Sequence, residues 1–476
     1  MNFKKIENLD QYIGTIIIPV FETTSKSLVP IEYHGVSVPS TVFYGKKDSH
    51  YLVDKYNCTH VFVGLGKDSD YKTIKTIFRR IAAKQKDIFS AKVALVIPDN
   101  FSAENVEATF SGLILGTYNL GHFKNTEIHP FLKEGFEIDI ISQSDFSEVL
   151  KRATKIATAQ LETYKLVDLP PNVATPKYLG DWAIASGKQH GFSVEVFDRK
   201  QCHELGLKAF LAVGQGSHNE PQFIVMNYKP ANFDAKTKHV GLVGKGITFD
   251  TGGLNIKTAG MVQMKCDMAG GAAVLGTMQL VASLKLDVQL TAIVPACENS
   301  VDAKSFLPSD VIGSYAGHSI EIIDTDAEGR LILADGLSYL IKNYNPDTII
   351  DIATLTGSAV GTFGYECAAL FTNNNDLSKN LQKAGDKIGE RLWQLPLWDA
   401  YKSDIESEIA DVKNYSGKPV AGAISAAKFL EFFTENHSSW AHLDIAGVAF
   451  GDDEFAKTKH ATAFGVHLLT TFIEGF

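Results

Sequence analysis

The sequence reads HVGLVGKGITFDTGGLNIK at residues 239–257 and SIEIIDTDAEGRLILAD at residues 319–335. Each segment begins with a strand-like run and continues into a polar loop that contains glycine. Helical patterns of apolar residues follow both loops, at 269–285 and 329–344. A strand, a loop and a helix in this order are typical of an α/β fold, so these two segments indicate the fold class.

The same alternation of strands and helices extends over residues 176–476. Strands are predicted at 192–197, 222–228, 239–244, 288–294, 319–323, 347–352 and 440–445, and helices at 176–190, 269–285, 329–344, 376–389 and 422–434. This alternation favours a mostly parallel sheet that is covered by helices on both faces.

Residues 1–150 form a second alternating region. Strands are predicted at 13–20, 60–64 and 92–97, and helices at 69–86 and 102–118. An amphipathic helix is predicted at 146–166, and the segment DLPPNVATP at 168–176 follows it with three prolines, which end helices. We therefore predict an N-terminal α/β domain at 1–150, a helix and proline-rich linker at 151–175, and a larger domain at 176–476 that contains both polar loops.

Length, charge and cysteine content restrict the class of protein. A chain of 476 residues with 45% apolar residues is long enough for two or three domains. The net charge of −10 argues against a nucleic-acid partner held by a generally basic surface. Five scattered cysteines without CxxC spacing are typical of reduced cytosolic thiols. The sequence shows no signal-peptide pattern and no apolar stretch of about 18 residues, so we expect a soluble cytoplasmic protein without a membrane helix.

Seven charged residues are concentrated in and near the two polar loops. They are Lys245, Asp250, Lys257, Asp267, Asp326, Glu328 and Arg330. We expect them to converge, because functional groups of open α/β sheets lie beyond the carboxyl ends of the strands. Buried charges without partners are costly, so such a cluster usually holds metal ions or performs catalysis. Four carboxylates are enough to bind two divalent ions, and the chain has no HExxH motif. The residues therefore predict a two-metal hydrolase that is not a zincin.

Several of these residues also have a purely structural interpretation. Asp267 precedes a helix expected near Met268 and could serve as its N-cap. Arg330 could form an anion pocket at a helix N-terminus, or it could pair with Asp324 or Asp326. The lysines could neutralise the acidic residues, ligate a metal when neutral, or polarise a carbonyl when charged. The residue types alone leave these alternatives open.

Both segments resemble motifs of the leucyl aminopeptidase family, the cytosolic dinuclear-metal exopeptidases. VGKGITFDTGGLNIK resembles the family pattern VGKG-TFDSGG--IK, and DTDAEGRLILAD resembles NTDAEGR-L-AD. The segments DMAGGAAV, ATLTGS, AGAISAAKFL, WAHLDIAG and ATAFGVHLL match in the same order, so the resemblance extends from about residue 160 to the C-terminus. Two departures stand inside the motifs, Thr251 for a serine and Asp324 for an asparagine. We expect Asp324 to add a negative charge beside the metals.

The resemblance implies a fold, an activity and an assembly. The fold would be a macro-like N-terminal α/β domain and a C-terminal αβα sandwich around a mostly parallel mixed sheet. The activity would be that of a metal-dependent leucyl aminopeptidase, which releases large apolar N-terminal residues from short peptides by a hydroxide that bridges two divalent ions. Mn²⁺ or Zn²⁺ would occupy the two sites of each subunit, with Mg²⁺ or Co²⁺ as alternatives. The protein would be a cytoplasmic homohexamer.

The resemblance also implies a role for each ligand of the two metal ions. Asp250 and Glu328 would bridge the two ions. Lys245 and Asp267 would complete one site, and Asp326 would complete the other.

The remaining matches concern catalysis and substrate binding. Lys257 would polarise the scissile carbonyl, and Arg330 would hold a bicarbonate ion that moves a proton from the attacking water. The pocket for the N-terminal side chain would be lined by Met264, Thr354, Leu355 and Gly357. The rival hypotheses are a DNA-binding regulator and an inactive structural member of the same fold. The acidic charge balance disfavours the first, and the intact ligand set disfavours the second.

Overall fold

The computed structural model describes residues 1–23, 29–125, 127–451 and 454–476. The chain divides into two compact units, Met1–Thr158 and Ala159–Phe476. The boundary between the units lies inside the helix Ser147–Asp168, whereas the sequence places the end of the first domain at 150. The domain bounds predicted from the sequence, at 150 and 176, stay a prediction, because a division into compact units does not show which segments fold independently. No helix in the described ranges is long and apolar enough to cross a membrane.

The first unit is built around a six-stranded sheet. The strands of the unit are β1 (Asn2–Ile6), β2 (Gly14–Phe21), β3 (Ile31–Tyr33), β4 (Val36–Val38), β5 (His50–Lys55), β6 (Cys58–Gly66), β7 (Val93–Val96) and β8 (Glu137–Ile141). Strands β3 and β4 pair with each other outside the six-stranded sheet. The helices of the unit are α1 (Tyr71–Lys84) and α2 (Ala103–Leu115), and α3 (Ser147–Asp168) begins in this unit. The sheet order is β1-β8-β7-β2-β6-β5, and every pair is parallel except β6 with β5. The sequence did not predict β1, because the side chains of this edge strand are mostly exposed and polar.

The second unit contains the remaining elements. Its strands are β9 (Ser193–Phe197), β10 (Gln222–Tyr228), β11 (His239–Gly244), β12 (Gly246–Asp250), β13 (Gln289–Asn299), β14 (Val311–Gly313), β15 (Ser319–Glu321), β16 (Thr348–Ala353), β17 (Ala368–Thr372), β18 (Leu392–Gln394), β19 (Val412–Lys413), β20 (Trp440–Asp444), β21 (Phe450–Gly451) and β22 (His460–Ala461). Its helices are α4 (Pro176–His190), α5 (Arg199–Leu205), α6 (Lys208–Gly214), α7 (Ala269–Leu284), α8 (Gly329–Tyr344), α9 (Gly357–Phe363), α10 (Asn375–Ile388), α11 (Gly422–Phe432) and α12 (Val466–Glu474).

The main sheet of this unit has the order β18-β17-β20-β16-β11-β13-β10-β9, and β12 pairs with β13. The central strands β20, β16, β11 and β13 are parallel, whereas β17, β10 and β9 pair in antiparallel fashion. The predicted α/β class with a mostly parallel mixed sheet is therefore confirmed. The central strands β11 and β16 are buried along almost their whole length, which fits a sheet that helices cover on both faces.

One strand prediction was wrong about its sheet. The run 319–323 was expected in the main sheet, but β15 belongs to a separate three-stranded sheet of order β14-β15-β19. The strand has only three residues, and only the central one, Ile320, is buried. A strand of this length and polarity cannot supply the continuous apolar run that the main sheet requires. The acidic loop, residues 323–328, therefore follows a strand of this separate sheet and not a strand of the main sheet.

Helix α7 positions one side of the site because it packs very closely on the main sheet. A Cβ atom at Gly270 would lie 2.1 Å from the carbonyl oxygen of Ile352 in β16, so only glycine fits there. This contact brings the start of the helix, and Asp267 before it, to the carboxyl edge of β16 and β11.

Candidate metal centre

Two charged residues lie where β11 and β12 end. The backbone of Lys245 donates to Ile352 O at 3.1 Å and accepts from Gly271 N at 2.7 Å, which fixes this residue between β16 and α7. Asp250 is the last residue of β12, and its Oδ1 accepts a hydrogen bond from Asn299 Nδ2 at 2.8 Å. The pairing of β12 with β13 shifts register just before Asp250, as strands often do beside functional sites.

The loop between β15 and α8 supplies Asp326 and Glu328. Thr325 connects this loop to the turn that follows β12, because its Oγ1 donates to Gly252 O at 2.7 Å. Asn299 donates to Thr325 O at 3.0 Å through the same amide nitrogen that bonds Asp250. The two polar segments of the sequence are therefore joined by direct hydrogen bonds.

Lys245 lies between two buried carboxylates. Its Nζ is 2.9 Å from Asp267 Oδ2 and 2.9 Å from Glu328 Oε1, and it donates to Thr354 O at 3.0 Å. A Cβ at Gly329 would lie 2.5 Å from Lys245 Cε, so the glycine leaves room for the lysine. Burial by itself lowers the pKa of Lys245, but the charges of Asp267 and Glu328 raise it above its usual value. Lys245 is therefore a charged ammonium in this arrangement.

Lys257 forms ion pairs with the other two carboxylates of the cluster, those of Asp250 and Asp326. Its Nζ is 2.8 Å from Asp250 Oδ2, and it also forms an ion pair with Asp326 Oδ1. Burial lowers its pKa, but Asp250 and Glu328 raise the pKa above its usual value. The side chain of Lys257 is 18% exposed and that of Lys245 is 3% exposed. The two lysines thus divide the four acidic residues between them, and only Lys257 reaches solvent.

The carboxylates are close enough to share cations. Oxygen atoms of Asp250, Asp326 and Glu328 all lie within 4.8 Å of one another. Burial, together with the charges of Glu328 and Asp250, raises the pKa of Asp326 to about 7, and burial and Asp250 raise that of Glu328. Glu328 is 1% exposed, and its Oε2 receives no hydrogen bond from any residue that the structure describes. A buried oxygen without a donor, in an oxygen-rich set, fits a divalent cation as its partner.

Arg330 is the second residue of α8 and is buried beside the acidic loop. Its Nη1 donates to Asn414 O at 2.7 Å, while its Nε has no partner within the described ranges. Burial lowers its pKa to about 10, so the guanidinium stays charged at neutral pH. Among the described residues Arg330 forms no ion pair, so the suggested pairing with Asp324 or Asp326 does not occur. The charge remains available for an anion.

The N-cap interpretation of Asp267 was wrong. Met268 occupies the N-cap position of α7, and Asp267 Oδ1 instead accepts from Thr354 Oγ1 at 2.8 Å. Asp267 is therefore held toward Lys245 by a residue that was predicted to line the substrate pocket.

The other predicted pocket residues lie in two segments. Met264 is half-buried in the 3-10 helix Met261–Cys266. Leu355 follows β16 and is also half-buried, and its backbone N–H donates to Asp444 Oδ1 at 3.1 Å. A Cβ at Gly357 would have no described heavy atom within 4 Å, so the first turn of α9 borders open space. The contacts of the described residues do not test whether these four residues line one pocket, so the pocket stays a prediction.

Asp324, where the family pattern has asparagine, acts as a turn residue in the loop. Its Oδ1 accepts the backbone N–H of Asp326 at 2.8 Å. An asparagine could make the same bond through its own Oδ1. The carboxylate therefore makes a bond that the asparagine of the family pattern could also make, and it adds a charge two residues before Asp326.

The sequence interpretation did not single out the uncharged residues that hold the loops. Thr325, Asn299 and Asn414 are fully buried and bond to the backbone or side chains of the charged segments. Thr325 lies inside the DTDAEG motif, so its position in that motif could have indicated that it belongs to the site. Asn299 was missed because the strand prediction ended at 294, whereas β13 continues to Asn299.

Known proteins resemble this chain in sequence over most of its length. The model of the cytosol aminopeptidase family, catalytic domain, matches residues 162–470. A probable cytosol aminopeptidase of Chloroherpeton thalassium is 41% identical over 439 residues, which are 87% of this chain and 86% of the relative. That of Pseudomonas syringae pv. tomato is 40% identical over 425 residues, 87% of this chain and 84% of the relative. That of Chlorobium phaeobacteroides is 36% identical over 464 residues, 93% of this chain and 90% of the relative. With more than half of its length matched, the chain belongs to the cytosol aminopeptidase family and is an aminopeptidase.

Proposed function

We propose that this aminopeptidase depends on two divalent ions per subunit, held by Asp250, Glu328, Lys245, Asp267 and Asp326. The observation that carries the proposal is the set of carboxylate oxygens within 4.8 Å of one another, one of which lacks a hydrogen-bond donor among the described residues. Asp250 and Glu328 would bridge the ions, and Lys245 with Asp267 and Asp326 would complete the separate sites. Oxygen ligands with one amine suit Mn²⁺ or Zn²⁺, with Mg²⁺ or Co²⁺ as alternatives.

The chemistry of the site follows from its charged residues. Divalent ions, when bound, supply Lewis-acid polarisation of a carbonyl and make water a better nucleophile at neutral pH. Lys257 is charged and partly exposed, so it can donate a hydrogen bond to the oxyanion that develops on the scissile carbonyl. The buried guanidinium of Arg330 would hold a bicarbonate ion, which supplies a base for the proton of the attacking water.

We further propose a preference for large apolar, leucine-like N-terminal residues. Met264 and Leu355 offer half-buried apolar side chains near the charged site, and Thr354 bonds directly to Asp267. Gly357 borders open space in which a substrate side chain would have room. These four residues together would form the pocket for the N-terminal side chain.

The function is tested with metal-stripped protein and a panel of aminoacyl-4-nitroanilides. We expect Mn²⁺, Zn²⁺, Mg²⁺ or Co²⁺ to restore hydrolysis, with leucyl and other large apolar substrates cleaved fastest. The N-acetylated leucyl compound is the matched control and should resist cleavage, because an aminopeptidase requires a free amine. Failure of every ion to restore activity would contradict the metal dependence, and equal rates across the panel would contradict the apolar preference.

We propose that the protein is a cytoplasmic homohexamer that acts on short peptides, as the resemblance to the leucyl aminopeptidase motifs implies. Multi-angle light scattering of the active protein at micromolar concentration should report six times the mass of one 52.0 kDa chain. A fully active monomer under these conditions would rule out the assembly.

A further inference from the structure

We propose that Asn414 is a positioning residue for the metal site, because it holds the acidic loop 323–328 and Arg330 in place. Asn414 follows the short strand β19 and is completely buried. It lies outside all the motifs that the sequence analysis identified. The inference rests on the metal dependence proposed above and adds a residue that contacts neither the substrate nor the ions.

The side chain of Asn414 continues a β-ladder beyond its end. Strand β19 pairs in parallel with β15, and the ladder extends to the bond from Asn414 N to Glu321 O at 3.0 Å. Beyond that point the chain of β15 turns into the acidic loop. The amide Oδ1 of Asn414 then accepts from Ile323 N at 2.8 Å and from Asp324 N at 3.3 Å. A side chain thus replaces the partner strand for the first residues of the loop.

The amide nitrogen of Asn414 bonds to two carbonyl groups of the loop. Asn414 Nδ2 donates to Asp324 O at 2.6 Å and to Ala327 O at 3.4 Å. These two carbonyls flank Asp326, and Ala327 immediately precedes Glu328. Loss of the amide would remove this partner from the half-buried N–H groups of Ile323 and Asp324 and from the buried carbonyl of Ala327, so the loop would have to rearrange to hydrate them.

The backbone of Asn414 makes a third connection, to Arg330. The guanidinium Nη1 donates to Asn414 O at 2.7 Å. One residue therefore bonds the segment before Asp326, the segment before Glu328 and the arginine after them. Because a metal site requires its ligands in one geometry, a shift of this loop should weaken metal binding without removing a ligand.

The test compares Mn²⁺ binding by metal-stripped wild-type, Asn414→Ala and Asn414→Asp proteins, measured by electron paramagnetic resonance of free Mn²⁺. Loss of an outer partner of a metal site typically costs about 10–100-fold in metal affinity or activity. We expect Asn414→Ala to weaken the affinity of at least one Mn²⁺ by about this factor, and kcat on leucyl-4-nitroanilide to fall with it. Asn414→Asp keeps the shape and the accepting Oδ1 but loses both donated bonds, so it should also bind Mn²⁺ more weakly. This variant decides the question if the alanine variant does not fold.

Asn373→Ala is a control for the loss of an asparagine amide that bonds to the backbone of other segments. The Asn373 amide accepts from Trp440 N at 3.0 Å and donates to His437 O at 2.6 Å, and it does not contact the acidic loop. This variant should keep wild-type Mn²⁺ affinity even if its melting temperature falls. Folded Asn414 variants with wild-type Mn²⁺ affinity and kcat would overturn the inference. A wild-type protein that binds no Mn²⁺ and is activated by none of the four ions would instead refute the proposed function, and the inference with it.

Discussion

Asp250→Ala and Glu328→Ala proteins are each expected to lose metal from both sites and to become essentially inactive. The proposed role of both carboxylates is to bridge the two ions, so neither site keeps its full ligand set after either substitution. The loss of activity should exceed the factor of about 10²–10³ in kcat that removal of a single oxyanion donor costs in other hydrolases. Metal analysis after dialysis against buffered Mn²⁺ measures the first effect, and leucyl-4-nitroanilide hydrolysis measures the second.

The contacts of Glu328 require a stability measurement beside the metal analysis. Its Oε1 is 2.9 Å from the Nζ of Lys245, and both side chains are buried. Removal of one partner of a buried ion pair typically destabilises a protein by about 3–5 kcal/mol, because the other charge stays buried. Thermal unfolding must therefore show that the variant is folded under the conditions of the metal analysis.

Asp335→Asn is the matched control for these two variants. Asp335 is also a fully buried carboxylate, but its oxygens accept from Phe210 N at 2.9 Å and Tyr315 N at 2.7 Å, and it takes no part in the acidic cluster. Its substitution should leave two equivalents of metal bound. Two full equivalents in the Asp250 or the Glu328 variant would show that the assigned residue does not bridge the ions.

Lys257→Ala is expected to keep both metals and to lose about 10²–10³ in kcat, the cost of one oxyanion donor. Lys245→Ala is expected to lose metal affinity at one site and to recover part of its activity at high Mn²⁺ concentration, because mass action refills a weakened site. Equilibrium dialysis and steady-state kinetics on the same two proteins separate the effects.

The structure supports this difference between the two lysines. Lys245 is buried between Asp267 and Glu328. It would have to release its proton to become a metal ligand, because only the neutral amine has a free electron pair. Lys257 is partly exposed, and it can move from its carboxylate partners toward a substrate while it stays charged. Metal loss from the Lys257 variant together with full metal retention by the Lys245 variant would show that the roles are reversed.

Several elements with a continuous or periodic apolar pattern were predictable from the sequence to within one or two residues. Strands β10 and β11 and helix α8 have the bounds that were predicted, because the apolar residues of these buried elements follow one another as a strand or a helix requires. The acidic residues of the site were likewise visible, since charges in polar loops after such elements stand out. Short strands such as β15 and β19 have too few residues to show a period, so their sheet could not be predicted.

The sequence by itself therefore determined the α/β class and the set of charged residues at the site, because both are encoded by residues near one another along the chain. The partners of those residues were decided only by the tertiary structure. Asn414 and Ile323 are hydrogen-bonded although they lie 91 residues apart in the sequence, and Lys245 and Thr354 are hydrogen-bonded at a separation of 109 residues. In the sequence, Asp267 has the position of a helix N-cap. In the structure, α7 packs against β16, and Asp267 accepts a hydrogen bond from Thr354, which follows β16. Local spacing cannot encode such contacts, because they depend on the path that the whole chain takes between the two residues.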